Sequence, residues 1–356
     1  MKRQNSLFLV LASISLAVTF ILAAIDGRID NNLTVTQPVT AATVNKTPVG
    51  RIILIENDSQ ITAGKLIYSD DTLQPKNGAN VVALCYASGE TWNVPNGNIS
   101  RVSDRCQQPS VKDLDCSDKK NGCLGNGDPR GPIADSNTPY IISPYDTDLI
   151  DDRPPISWHA VPGITNYSVR VMDITGSGLN WERSAIALPK SAENEIRWEY
   201  PRDVQALEPG HEYKLTVEVN TESPQNRTVP GEATFAILKP EDIKQLQDTI
   251  NTIDKLNIPK EEKYLQDLYS VYKRKNLISE IIKILESLVK DGSQTPQVYR
   301  KLGDIYLKQG LLELAQPRYE TAVRLARATQ DTKELEAAQT GLEQVIAGLK
   351  KPDAAQ

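Results

Sequence analysis

Residues 296–322, PQVYRKLGDIYLKQGLLELAQPRYETA, place Tyr299, Leu302, Gly303, Tyr306, Ala315, Tyr319 and Ala322 at the spacing of two packed helices. Moving back by 34 residues finds Leu265, Leu268, Tyr272, Ile281, Leu285 and Leu288 in the matching positions. A period of that length denotes helix pairs that stack to bury one face and leave a concave face for another chain. Small residues such as Gly303 and Ala315 are explained by packing, because they let two helices approach closely.

The helical region begins at Lys239-Pro240. Pro240-Glu241-Asp242 suits a helix start, with acidic residues at the positive end of the dipole. Ile243, Leu246, Ile250 and Ile253 trace one apolar stripe, and Ile258-Pro259 ends that helix. Thr332 to Leu349 supplies a further amphipathic segment, so the helices span 240–349 and 350–356 is a tail. Pro317 removes one backbone hydrogen bond, which predicts a kink or a helix that starts late.

Upstream, the periodicity changes to two. Ile156-Ser157-Trp158, Tyr167-Ser168-Val169-Arg170-Val171, Ile196-Arg197-Trp198, the alternating Leu215, Val217 and Val219, and Thr234-Phe235-Ala236-Ile237 are strand candidates. They predict an antiparallel β-sandwich over 139–238. Further upstream, Arg51 to Ile55, Gly78 to Tyr86 and Thr91 to Val94 predict a small β domain over 47–106, with Asn77-Gly78 and Ser88-Gly89 as turns. The fold class is therefore multidomain: a small N-terminal β domain, a central β-sandwich and C-terminal α-helical repeats.

Three family resemblances follow from these residues. The repeat at 262–329 resembles the tetratricopeptide repeat. That resemblance implies a partner-binding groove at Lys263, Gln266, Ser270, Lys273 and Arg274, then Gln297, Arg300, Asp304, Leu307 and Lys308. Five of these are basic and one is acidic, so the implied partner is another protein or peptide segment carrying acidic residues. An ordinary solvated helix face is the competing reading. Ser270 and Gln266 depart from the family's carboxylate-clamp variants, and Tyr269 replaces a small residue, which should shift the packing between helices. The stretch with Trp158 and the corner Leu207, Pro209, Gly210 and Tyr213 resembles a fibronectin type III or immunoglobulin-like module. There the tyrosine ring belongs to the core and its hydroxyl bonds back upstream. Asp71-Thr72-Leu73, Gly78-Ala79, Val81 to Leu84, Gly89 and Pro95-Asn96 resemble the FecR-like domain of bacterial envelope proteins.

The N-terminus carries Lys2 and Arg3 ahead of Leu7 to Ile25, nineteen residues without a charge. Residues 1–25 read as a signal peptide or membrane anchor, and 26–46 as a flexible tether. Either way the positive-inside rule places the remainder across the membrane, exported to the periplasm or cell envelope. Cys85, Cys106, Cys116 and Cys123 agree with an oxidising compartment. Four cysteines allow three connectivities, and Cys85 with Cys106 plus Cys116 with Cys123 is the favoured one. Zinc is disfavoured because no Cys-x-x-Cys occurs and His159 and His211 are far away in sequence. The connector 107–138 holds Asp113, Asp115, Asp118, Asn121 and Asp128. Their spacing lacks the register of a calcium loop, so a disulfide-closed solvated loop is expected.

A net charge of −6 over 356 residues argues against a nucleic-acid partner. Only two histidines occur. Alternation points His159 outward, and His211 lies in the tyrosine corner. No Gly-x-Ser-x-Gly, phosphate-binding loop or zinc-protease motif is present, and Asp151-Asp152 sit in a Pro-rich connector. The sequence thus predicts no cofactor, no metal and no enzyme, but an envelope adaptor binding through its helical repeats. The alternative is a cell-wall or carbohydrate-binding protein acting through its β domains, with Trp92 or Trp181 as a stacking platform.

Overall fold

The computed structural model describes residues 46–106, 138–176, 178–187, 195–220 and 229–350. The leader, nearly all of the tether and connector, Cys116, Cys123 and the acidic run at 113–128 lie outside the described residues. Among the described residues, no helix is long and apolar enough to cross a membrane.

The first β region comprises β1 (Gly50–Glu56), β2 (Leu66–Ile67), β3 (Thr72–Leu73), β4 (Asn80–Cys85), β5 (Glu90–Asn93) and β6 (Ser100–Arg101). Four of them form an antiparallel sheet in the order β2-β1-β4-β5, while β3 pairs with β6. Val81 to Tyr86 is apolar at every position, which requires cover on both faces of β4. One face, with Val81, Ala83 and Cys85, joins Ile52, Ile67, Trp92 and Val102 in the domain's own core. The other face, with Val82, Leu84 and Tyr86, joins Ile53 in the apolar cluster of the helices. Cys85 is disulfide-bonded to Cys106, stapling the end of β4 to the end of the domain.

The central region holds β7 (Ile141–Ser143), β8 (Thr147–Leu149), β9 (Ile156–His159), β10 (Asn166–Asp173), β11 (Asn180–Ala187), β12 (Glu195–Trp198), β13 (Glu212–Val219) and β14 (Gly231–Ile237). A five-stranded sheet, β11-β10-β13-β14-β8, and a three-stranded sheet, β12-β9-β7, share one apolar core. Trp158 and Tyr213 are both fully buried there. The Glu208 amide donates to the Tyr213 hydroxyl at 2.7 Å, and burial pushes that phenol up to about 12. His159 is buried rather than outward, since all four residues of β9 are covered, on both faces of the strand. The aromatic platform expected of a carbohydrate surface is also absorbed into packing. Trp92 is 9% and Trp181 8% exposed, each inside the core of its domain.

The helices are α1 (Pro240–Asp254), α2 (Lys260–Glu262), α3 (Tyr269–Arg274), α4 (Ile278–Lys290), α5 (Pro296–Lys308), α6 (Leu312–Thr329) and α7 (Thr332–Leu349). A π-helical stretch, Lys263–Leu268, joins α2 to α3 in one continuous rod over 260–274. The α6 helix begins at Leu312 and runs through Pro317, so the proline does not delay its start. The α5 and α6 helices pack as a hairpin, and α7 packs on both. The Tyr319 ring lies between two glycines. A Cβ on Gly303 would stand 3.0 Å from it, and one on Gly341 would collide with it.

Two seams tie the β regions to the helices. The Thr147 hydroxyl donates to the Asn276 carbonyl at 2.9 Å and accepts from the Ile278 amide at 3.0 Å, so β8 grips the turn between α3 and α4. The second seam lies along the rod at 260–274 and forms the site described next.

Candidate functional site

The expected groove residues lie on the rod at 260–274 and on α5. Their surroundings differ between the two helices. Along the rod, the β4 face and the turn that follows it supply the cover.

Arg51 enters from β1, on the same face as Ile53, and its side chain is 1% exposed. Its Nε donates to Asp267 Oδ1 at 2.9 Å, while its other nitrogens reach Glu262 and the Gly64 carbonyl. The Tyr86 hydroxyl donates to the same Asp267 oxygen at 2.9 Å. Burial opposes charge on Arg51, but Glu262 and Asp267 more than offset it and raise its pKa. Burial pushes the Asp267 carboxyl above the usual range, against the pull of Arg51 and Tyr86. Such a pair contributes little net stability, yet removing one partner strands a charge in a dry seam.

At the end of the rod the β4–β5 turn rests on α3. Gly89, at φ +65°, sits so close that a Cβ would collide with the Ser270 carbonyl oxygen. Next to it Glu90 pairs with Arg274. Ser270 is therefore buried, with its hydroxyl donating to the Gln266 carbonyl at 2.6 Å. Lys263, Gln266 and Lys273 are half-buried, and Lys263 Nζ donates to the Asp254 carbonyl at 3.0 Å.

On α5 the placement again depends on neighbours. Arg300 is buried, its Nε donating to Glu334 Oε2 at 2.6 Å and its Nη1 to Asp304. Asp304 also accepts from the Tyr319 hydroxyl at 2.6 Å. Leu307 is fully buried, Gln297 is half-buried and Lys308 is exposed. Arg300 and Asp304 thus hold α5 to α6 and α7, and Leu307 belongs to the helical core.

One residue on this face was missed by position-by-position reasoning. The Lys301 ammonium stands 3.6 Å from the centre of the Tyr269 ring. Burial, then the neighbouring Arg300, lowers its pKa to about 7, with Lys273 adding to the effect and Asp304 and Glu334 opposing it. The departure at Tyr269 is the signal that pointed here. The π-helical stretch immediately precedes Tyr269, whose ring is buried in the apolar cluster of the helices. Among the described residues, no cluster of His, Cys, Asp or Glu could hold a metal ion.

No family model matches the sequence, and no curated protein matches it. Among solved structures, one match is the crystal structure of a beta-1,2-glucanase from Parabacteroides distasonis, at 11% identity and a TM-score of 0.17. That alignment covers 60% of this chain and 35% of the glucanase, so the chain spans about a third of that protein's length. A likeness at that level carries no conclusion about fold or activity.

Proposed function

We propose that the chain is an exported, non-enzymatic scaffold of the cell envelope that holds another polypeptide against its tetratricopeptide-like helices. The partner segment is acidic. What supports this most is that Lys273, Arg274 and Lys308, three of the five basic groove positions, remain half-buried or exposed on the rod and α5. Lys273 lies half-buried on the rod, while Arg300 is taken up by Asp304 and Glu334. Arg274 and Lys308 extend the face on exposed positions. A local excess of positive charge on a chain of net −6 draws anionic segments toward that face. The FecR-like and fibronectin-like regions serve as the frame, and the β4–β5 turn borders the binding face.

The test is the binding of fluorescein-labelled hexaglutamate and hexaglutamine to the full chain by fluorescence anisotropy. Lys273→Glu and Lys308→Glu are the informative variants. Arg300→Glu is avoided because Arg300 bridges Asp304 and Glu334. Hexaglutamate is expected to bind more tightly and to lose affinity in both variants. Equal affinity for the two peptides removes the reading.

A further inference from the structure

We propose that the β4–β5 turn is a built-in competitor for the partner, with Glu90 holding the place on Arg274 that an acidic residue of the partner takes. This rests on the reading that the partner is an acidic polypeptide, and it adds how access to that face is controlled.

The seam between the first β region and the rod is uneven. At its root, Arg51 and Asp267 are 1% and 0% exposed, and Tyr86 closes the same contact. At its tip, Glu90 and Arg274 are 55% and 40% exposed. Exposed pairs are weak and screened by salt, whereas breaking a buried pair strands a charge. The tip can therefore lift while the root stays docked.

Two further features belong to the tip. Gly89 is the one residue type that allows the turn to lie against the Ser270 carbonyl, and its amide is held by the Cys85 carbonyl at 2.8 Å. Beside the turn lies a cleft of about 490 Å³, lined by Glu90, Thr91, Gln245, Asp248, Arg274 and Lys275. An incoming chain has room there to approach Arg274 from the side of α1. Displacing Glu90 exchanges one carboxylate for another on the same guanidinium, so no charge is left stranded.

The test compares hexaglutamate binding to the full chain and to its Glu90→Gln, Gly89→Ala and Glu90→Gln/Arg274→Gln variants. Glu90→Gln removes the competing charge without touching Gly89 or the Arg51 joint, so it stays informative if Gly89→Ala fails to fold. Glu90→Gln is expected to bind about fivefold more tightly than the parent chain. The gain should vanish in the double variant. If Glu90→Gln binds no better while Lys273→Glu still weakens binding, the competitor idea is overturned and the acidic-partner reading stands. If the gain survives loss of Arg274, the competitor idea is likewise overturned. If neither the parent nor Glu90→Gln distinguishes hexaglutamate from hexaglutamine, both readings fail together.

Discussion

Arg51 Nε donates to Asp267 Oδ1 at 2.9 Å, joining a strand and a helix 216 residues apart in a seam that excludes water from both side chains. Both side chains are closed off from solvent. Arg51→Met should therefore lower unfolding free energy by about 3–5 kcal/mol. The double variant Arg51→Met/Asp267→Leu should recover most of that loss. Urea unfolding of the full chain checks both, and a fully stable Arg51→Met would mean that the seam does not hold the first β region in place.

Gly341 and Tyr319 make a second long-range dependence. A methyl at position 341 collides with the Tyr319 ring. Gly341→Ala is expected to cost about 1–3 kcal/mol, the usual penalty for overpacking. Adding Tyr319→Leu should relieve part of the strain while losing the hydroxyl bond to Asp304. The two changes should therefore be non-additive in thermal unfolding.

Lys301 gives the helices a pH dependence of known sign. Its folded pKa of about 7 lies below the value of about 10.4 for a free lysine. Between those values the unfolded chain binds more protons, so this residue's contribution to stability rises with pH and is lost as pH falls through about 7. Lys301→Met lacks that contribution. Urea midpoints for both proteins from about pH 6 to about pH 9.5 should diverge in slope. Parallel curves would show that Lys301 keeps an ordinary affinity for its proton.

The Cys85–Cys106 staple spans a sequence separation of 21. Loop closure of that size restrains the unfolded chain by about 3 kcal/mol. Replacing both cysteines by serine should lower the urea midpoint accordingly. Peptide mapping without reductant should show Cys85 linked to Cys106. It should also show a separate Cys116–Cys123 peptide, and a crossed linkage would displace the favoured pairing.

Much of the architecture was readable from local pattern. The apolar stripe from Ile243 to Ile253 lies on α1, Pro296 opens α5, and Thr332–Leu349 are the bounds of α7. Trp158 and Tyr213 occupy the core that alternation and the Pro209-Gly210 turn assign them. The candidate face was less readable. Arg300 and Glu334 stand 34 residues apart, and their pairing exists only because α7 packs against α5. Ser270 looked accessible because helical spacing says which side of a helix a residue occupies, and nothing about what lies against that side. The run Val81 to Tyr86 held the clue, since six consecutive apolar residues leave no wet face.

The chain's own residues settled the local matters: helices from apolar spacing, strands from alternation, turns from glycine and proline. Those follow from backbone geometry and from side chains a few positions apart. Tertiary structure decided that β4 is shared between two apolar clusters, that Arg51 meets Asp267, and that Glu90 sits on Arg274. An apolar or charged pattern states that a surface needs a counterpart. Which counterpart it finds depends on contacts between distant segments, and these exist only once the domains have come together.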